Sequence, residues 1–292
     1  MSKEIIKKHS DQNEYLLTPD KMWVRNFRKN APPIDINNLI THQECDVILS
    51  NEIANQRKRF PDVDSENIIK RKVLIVSDGY DFLNKQKILS KLPQDVCVIA
   101  VNKALAKWTL VGDDCPENEK RSIAFYVINN PYSEASSFLP RRTRYYPRCI
   151  ASTRTHSDFI ADYRSKGIVY GYSPVSEKLY SGPSFNYVYK IDDYRNPIVA
   201  AIGLAHRFEV EKLALFCCDD SFKEQRPGAV QLENELWTYP QHIVSSNIID
   251  ASLFWLSKGE VTIGNCSMGP KLQNATYINP ESIIQFFEDN NG

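Results

Sequence analysis

No run of apolar residues in this sequence is long enough to cross a membrane, and neither sign of charge is in excess. The longest apolar runs, such as residues 96–101, are far shorter than the roughly 20 residues of a membrane-spanning helix. Lysine plus arginine and aspartate plus glutamate number 36 each, so no overall field draws the protein to nucleic acid or to a membrane surface. Residues 1–8 are charged and lack the apolar core of a signal peptide. We therefore expect a cytoplasmic protein without a membrane span.

The sequence also lacks the common cysteine and glycine motifs. Its seven cysteines include no CxxC pair, which argues against a zinc site and a disulfide framework. Cys217 and Cys218 lie in an apolar run, which favours buried and inert packing. Neither a GxGxxG loop nor the lysine of a P-loop is present.

From residue 72 onward, short β-branched runs alternate with helical stretches. Runs that are apolar on both faces are typical of a parallel sheet covered by helices. We therefore predict an α/β fold: a Rossmann-like, mostly parallel sheet with helices on both faces. It forms a nucleotide-binding catalytic domain over residues 71–292, and a helical N-terminal extension precedes it over residues 1–70. The predicted strands are 73–76, 96–101, 123–128, 149–152, 168–170, 213–217 and 261–265, and the predicted helices are 81–92, 104–110, 156–165, 197–208 and 242–257.

Polar residues follow the predicted strands at the points where ligands bind in open α/β sheets. Ser77, Asp78 and Gly79 form a strand-to-helix turn that suits either a phosphate or a plain helix cap. Asp219 and Asp220 follow a later strand, where carboxylates hold Mg²⁺ or a sugar hydroxyl, or simply form a solvated turn.

One histidine and one basic stretch complete the set of candidates. His242 opens the helix after residues 237–240 and is the best placed general base among the five histidines, although a lone histidine is usually structural. Arg141, Arg142 and Arg144, together with Arg154 further on, suit contacts with phosphate or an acceptor, and the aromatic residues beside them suit base stacking. A solvated basic loop is the alternative.

Residues 72–287 resemble two related groups, the MptE-like hydroxymethylpterin diphosphokinases and the bacterial sialyltransferase-type glycosyltransferases. Residues 73–83 stand where these families carry a strand and a Gly-x-Gly-Pro-Ser-Leu loop, with Ser77 in place of the first glycine. Residues 98–105 are similar to their second strand, whose final asparagine, here Asn102, contacts the nucleotide. Residues 126–131 resemble the sialyltransferase-type strand ending in Asn-Pro, which implies that Asn130 faces the leaving phosphate of the donor.

The resemblance continues towards the C-terminus. Residues 196–222 look like the families' helix, strand and Gly-x-Asp element, with Cys218 replacing the glycine. His242 takes the place of the transferases' base, and residues 263–281 are similar to the closing strand and its polar loop.

These features together predict a nucleotide-dependent transferase, preferably a glycosyltransferase that moves a sugar from a nucleotide-sugar donor to a hydroxyl acceptor. The acceptor is a saccharide, a small molecule or a modified nucleic-acid base, and Mg²⁺ is an optional metal at Asp219 and Asp220. Two alternatives stay open: an ATP-dependent diphosphokinase acting on a pterin-like alcohol, and a non-catalytic protein that binds a nucleotide or a partner. The sequence leaves open whether the chain forms a homo-oligomer.

Overall fold

The chain alternates between strands and helices, as its sequence predicts. The computed structural model describes residues 15–17, 23–25, 42–56, 60–61, 69–108, 123–140, 146–174, 189–191, 193 and 195–289. The strands are β1 (Tyr15–Leu17), β2 (Trp23–Arg25), β3 (Lys72–Val76), β4 (Val96–Val101), β5 (Phe125–Ile128), β6 (Arg148–Ser152), β7 (Val169–Pro174), β8 (Tyr189–Ile191), β9 (Lys212–Phe216), β10 (Val230–Gln231), β11 (Trp237–Thr238), β12 (Thr262–Asn265) and β13 (Thr276–Tyr277). The α-helices are α1 (His42–Gln56), α2 (Phe82–Lys85), α3 (Ala104–Lys107), α4 (Ser157–Arg164), α5 (Pro197–Arg207), α6 (Pro240–Ser257) and α7 (Ile283–Glu288).

Nine of these strands form one parallel sheet in the order β13-β12-β9-β3-β4-β5-β6-β7-β8. The predicted α/β class and parallel sheet are confirmed. All seven predicted strands are present, although β5 begins two residues later than predicted and β7 runs on to Pro174. The edge strands β8 and β13 were not predicted, because two or three residues are too few to show a period.

The sheet is covered by helices on both faces, as the apolar character of its strands requires. Leu74 and Val76 of β3 pack into one buried layer with residues of α2, α3, α4 and α7. Val73 and Ile75 point to the opposite layer, where α5 and α6 lie. This alternation is the two-residue period of a strand, and it assigns alternate residues to the two faces of the sheet.

Several helices differ in detail from their predicted bounds. The predicted helix 81–92 is a single α-helical turn, α2, followed by a 3₁₀ segment, Gln86–Lys91. Helix α6 begins at Pro240, two residues earlier than predicted, because proline is well accommodated in the first turn of a helix. His242 therefore lies in that first turn.

The N-terminal extension contains strands as well as a helix. Helix α1 lies within the predicted extension, and β1 and β2 pair as an antiparallel hairpin that a purely helical extension did not include. The extension over residues 1–70 stays a prediction. Asn51 of α1 donates to the carbonyl oxygen of Pro131 at 2.7 Å. Asn55 donates to the carbonyl oxygens of Thr153 and Thr155 at 3.0 and 2.7 Å. Helix α1 thus lies over the carboxyl ends of β5 and β6.

The segment after β9 is a small hairpin. Strands β10 and β11 pair antiparallel, and the backbones of Phe222 and Trp237 exchange hydrogen bonds of 2.9 and 2.8 Å. Among the helices of the described residues, none is both long enough and apolar enough to span a membrane.

Candidate functional site

The order of strands reverses at β3, which marks the candidate site. From β3 the chain proceeds through β4 to β8 on one side, and it then returns to β9 on the other side of β3. In open α/β proteins, ligands bind at such a reversal, beyond the carboxyl ends of the strands. The loops at this point are residues 77–81, 217–221 and 266–269, and we call the region around them the crevice.

Asp219 holds these three loops together. Its side chain accepts hydrogen bonds from the backbone N–H groups of Tyr80 at 3.2 Å, Ser221 at 3.3 Å and Met268 at 3.2 Å. The Ser221 hydroxyl donates to it as well. Asp219 is only 6% exposed. These donors therefore take the place of the water molecules that a carboxylate loses when it is buried. A structural role therefore accounts for its burial, and its predicted catalytic and metal roles stay predictions.

The turn after β3 is tightly bonded to the loop after β9. The N–H group of Ser77 donates to the Phe216 carbonyl oxygen at 3.0 Å, and that of Gly79 donates to the Cys217 carbonyl oxygen at 2.9 Å. A Cβ atom on Gly79 would lie 2.2 Å from the Asp219 carbonyl oxygen. Close packing of two loops thus accounts for this glycine, and the engaged N–H groups are not directed at a phosphate. The predicted binding of a nucleotide by this turn stays a prediction.

Asn102 lies beside the crevice at the end of β4. Its backbone has a φ of 44°, in the left-handed region that asparagine tolerates better than most residues. Its Oδ1 atom is buried and has no hydrogen-bond partner among the described residues. Because an unpaired buried acceptor costs about 1–3 kcal/mol, this amide is a candidate for a contact with water or a ligand.

Asp78, from the turn after β3, forms an ion pair with Lys107 at 2.7 Å.

His242 and Asp220 lie together at the crevice. The Nδ1 atom of His242 is 3.1 Å from the backbone carbonyl oxygen of Asp220, which also accepts from the Thr238 hydroxyl at 3.1 Å. Since a carbonyl oxygen can only accept, Nδ1 carries the hydrogen, and Nε2 of the neutral ring is the atom that can take up a proton. The Tyr239 ring packs edge-on against the imidazole with centroids 5.7 Å apart. These contacts fix both the tautomer and the orientation of His242.

The Asp220 carboxyl is perturbed by its surroundings. Desolvation in the crevice raises its pKa above the ordinary value of 3.8, and the charges of Asp219 and Asp78 raise that pKa further. His242 and Lys103 act in the opposite direction and lower it. Asp220 thus combines a raised pKa with a place next to a histidine, which is the pattern expected of a functional carboxylate.

Two other predicted side chains, those of Asn130 and Arg154, lie in a second region, between α1 and the ends of β5 and β6. A cleft of about 260 Å³ opens there. Its lining consists of Ile48, Asn129, Asn130, Pro131, Tyr132, Glu134, Arg154 and Arg195. We call it the α1 cleft.

The two candidate residues in the α1 cleft are held by internal contacts. The Asn130 amide donates to Glu134 at 3.2 Å, and its Oδ1 atom accepts from the Tyr132 N–H group at 2.8 Å. Arg154 is buried, and its Nε atom lies 2.9 Å from a Glu52 carboxylate oxygen. The predicted phosphate contacts of Asn130 and Arg154 stay predictions. Arg141, Arg142 and Arg144 lie outside the described residues.

The comparisons with known proteins bear on the fold. The chain shares its fold with a glycosyltransferase. That protein is the MAf glycosyltransferase from Magnetospirillum magneticum AMB-1, which superimposes with a TM-score of 0.59 at 15% sequence identity. The match covers 81% of this chain and 38% of that one, so this chain spans well under half the length of its structural neighbour. No protein-family model and no curated protein matches the sequence.

Sequence reasoning missed Asp193, Arg195 and Glu52. Asp193 is buried and accepts from the Asn129 amide at 2.6 Å and from the Tyr172 hydroxyl at 2.9 Å. Recognition of β8 would have indicated Asp193 by the same rule that selected the other strand ends. Glu52 gave no signal, because it lies 102 residues before its partner Arg154.

Five cysteines of the described part of the chain are buried: Cys97, Cys149, Cys217, Cys218 and Cys266. Cys217 and Cys218 are buried, as predicted, and desolvation raises the pKa of both thiols. Burial likewise raises the pKa of the Cys266 thiol to about 12. Within the described residues, no group of three or more His, Cys, Asp or Glu side chains is arranged to hold a metal ion. The predicted Mg²⁺ site at Asp219 and Asp220 stays a prediction.

Proposed function

We propose that the protein is a nucleotide-dependent glycosyltransferase that moves a sugar from a nucleotide-sugar donor to a hydroxyl acceptor. The observation that carries this proposal is the contact between the His242 Nδ1 atom and the Asp220 carbonyl oxygen at 3.1 Å. It leaves Nε2 as the proton-accepting atom at the reversal point of the sheet. The shared fold with a glycosyltransferase supports the same conclusion.

In this mechanism, the Nε2 atom of His242 takes the proton of the acceptor hydroxyl. The acceptor oxygen forms a bond to the anomeric carbon while the bond from that carbon to the donor phosphate breaks, and the electron pair leaves on the phosphate oxygen. The Asp220 carboxylate stabilises the imidazolium that results. Magnesium bound at Asp220 would neutralise charge on the leaving phosphate.

The remaining candidates hold the substrates. Asn102 and the turn of Ser77, Asp78 and Gly79 border the crevice and would contact the nucleotide, with Asn130 further along the same edge. Arg154 and the arginines at 141, 142 and 144 would contact phosphate or the acceptor. These basic residues are compatible with a nucleic-acid acceptor.

The first test is thermal melting in the presence of CDP-, UDP-, GDP- and CMP-sugars, free nucleotides and ATP, each with and without Mg²⁺. Selective binding to the native state raises the melting temperature. We expect one class of nucleotide sugar to do so. Stabilisation by ATP with Mg²⁺ alone would favour the diphosphokinase, and no stabilisation at saturating ligand would favour a non-catalytic protein.

The second test uses the donor so identified in a turnover assay. His242→Gln should lower kcat by about 10²–10⁴-fold, the usual contribution of a general base, with little change in donor binding. His206→Gln is the matched control, because His206 is exposed on α5. Full turnover by His242→Gln would show that His242 is not the base.

A further inference from the structure

Helix α6, which carries His242, begins without a side-chain cap. Its N-cap residue is Tyr239, whose side chain makes no capping hydrogen bond to the first turn. The first N–H groups of a helix have no partners within the helix, and a capping side chain often holds them. The position of the first turn of α6, and of the imidazole on it, therefore depends on contacts with other parts of the fold.

Two contacts hold this end of α6 from different sides. On the crevice side, the Asp220 carbonyl oxygen lies 3.1 Å from the Thr238 hydroxyl and 3.1 Å from the Nδ1 atom of His242. On the side of α5, the Nδ2 atom of Asn196 donates to the Ser245 hydroxyl oxygen at 2.6 Å. Residues three apart are neighbours on a helix surface, so Ser245 lies one turn after His242. The contact with Asn196 thus acts on the same end of the helix.

Asn196 is itself fixed in place. Its Oδ1 atom accepts from the Ile198 N–H group at 2.8 Å and so caps α5. Its backbone N–H group donates to the Asp193 carbonyl oxygen at 2.6 Å. Asn196 is only 8% exposed. Because both ends of the amide and the backbone are engaged, Asn196 is a rigid support for Ser245.

Asp193 in turn connects Asn196 to the sheet. Its carboxylate accepts from the Asn129 amide, which follows β5, at 2.6 Å. It also accepts from the hydroxyl of Tyr172, which lies in β7, at 2.9 Å. Asp193 is fully buried, so water does not compete for these bonds. A series of hydrogen bonds therefore runs from two strands through Asp193 and Asn196 to α6.

We propose that Asn196 is a positioning residue for His242. Its amide holds Ser245 and the first turn of α6, so that the Nδ1 atom of His242 stays within hydrogen-bond distance of the Asp220 carbonyl oxygen. The bond at one ring nitrogen sets the tautomer of an imidazole, and a general base has to lie within about 2.6–3.2 Å of the group that gives up the proton. This inference rests on the proposed role of His242 as the base.

Two variants remove the contact from its two ends. Ser245→Ala removes the acceptor and keeps the helix, since alanine has the highest helix propensity. Asn196→Ser keeps a cap for α5, because serine caps about as well as asparagine, but its hydroxyl lies too close to the backbone to reach Ser245. Ser245→Thr is the conservative variant that keeps the hydroxyl. Ser252→Ala is the matched control, because the Ser252 hydroxyl donates to the Ile248 carbonyl oxygen of the same helix at 3.0 Å.

The first measurement is the tautomer of His242, which requires no substrate. The ¹⁵N chemical shifts of the imidazole report it at about pH 8, where an ordinary histidine is neutral, and His242→Gln assigns the signals. We expect the Nδ1–H tautomer in the unmodified protein, in Ser245→Thr and in Ser252→Ala. Ser245→Ala and Asn196→Ser should show a mixture of both tautomers. If these two variants keep the tautomer of the unmodified protein, the inference is overturned, whether or not the protein is a transferase.

The second measurement is turnover with the donor identified by thermal melting. Ser245→Ala and Asn196→Ser should lower kcat by about tenfold, within the roughly 10²-fold that a 1 Å misplacement costs, and should leave the donor KM unchanged. Ser245→Thr should recover most of the loss, and Ser252→Ala should match the unmodified protein. A raised KM at unchanged kcat would contradict a positioning role. Full turnover by His242→Gln, combined with a tautomer that responds to Ser245→Ala, would instead refute the proposed function and leave the contact between Asn196 and α6 as described.

Discussion

The crevice at β3 and β9 and the α1 cleft lie on the same edge of one sheet but are built differently. The crevice brings together a buried carboxylate, a carboxyl with a raised pKa and an oriented histidine. The α1 cleft contains amides that are already bonded to their neighbours. The crevice thus holds the group suited to proton transfer, whereas polar groups of the α1 cleft bond to one another. Polar strand ends of similar composition acquire different contacts once the loops pack.

Substitutions at the adjacent residues Asp219 and Asp220 give the largest expected difference within the crevice. Asp219→Ala should lower the free energy of unfolding by about 3–5 kcal/mol, because three backbone N–H groups lose their acceptor. Asp220→Ala should change it by no more than about 0.5 kcal/mol, because the Thr238 and His242 contacts of Asp220 are made by its backbone carbonyl oxygen, which the variant keeps. Urea unfolding at constant pH measures both values. Equal losses in the two variants would contradict the assignment of Asp219 as the residue that joins the loops.

The pair of Glu52 and Arg154 tests how the α1 cleft is assembled. Glu52→Ala leaves the buried Arg154 guanidinium without this partner and should cost about 3 kcal/mol. Asp162→Ala breaks the exposed pair with Lys166, which is 2.7 Å long, and should cost no more than about 0.5 kcal/mol. Amide exchange should also accelerate in α1 and not in α4. Unchanged exchange in α1 would show that this pair does not hold the helix on the sheet edge.

The smallest expected effect is the pH dependence that Asp220 confers. Its pKa is raised in the folded protein above 3.8, so the native state binds this proton more tightly than the unfolded chain does. Stability is therefore lost as the pH rises from the unfolded pKa through the folded one. The melting temperature of Asp220→Asn minus that of the unmodified protein should be near zero below this pH range. The difference should become more positive as the pH rises through the range. Asp162→Asn corrects for the general loss of one negative charge, and a difference that stays flat with pH would contradict the raised pKa.

The sequence predicted the sheet well because its strands are long apolar runs. Residues 96–101, for example, are apolar at every position, and this pattern does not depend on the rest of the chain. Strand β13 has two exposed residues, Thr276 and Tyr277, so no periodicity could mark it. The hairpin of β1 and β2 escaped prediction because strands of three residues are too short to show a period.

The sequence predicted several residues of the candidate site but not the groups that contact them. The carboxyl-end rule selected Asn102, Asp219 and Asp220, and helix position suggested His242. The same rule could not tell that Asp219 accepts from three backbone N–H groups while Asp220, the next residue, contacts His242, because these contacts depend on how separate loops pack. Asn130 and Arg154, which were also predicted, lie at the α1 cleft, and their phosphate contacts stay predictions.

By itself, the sequence determined the α/β class, the parallel sheet and the polar character of the strand ends, because hydrophobic period and strand-end chemistry are local. The tertiary structure decided the order of the strands, the division of the sheet edge into two sites and the contact of His242 with Asp220. It also decided the docking of α1, through pairs such as Glu52 and Arg154 that are 102 residues apart. These contacts join distant segments, and their energies depend on burial and geometry that arise only when the chain has folded.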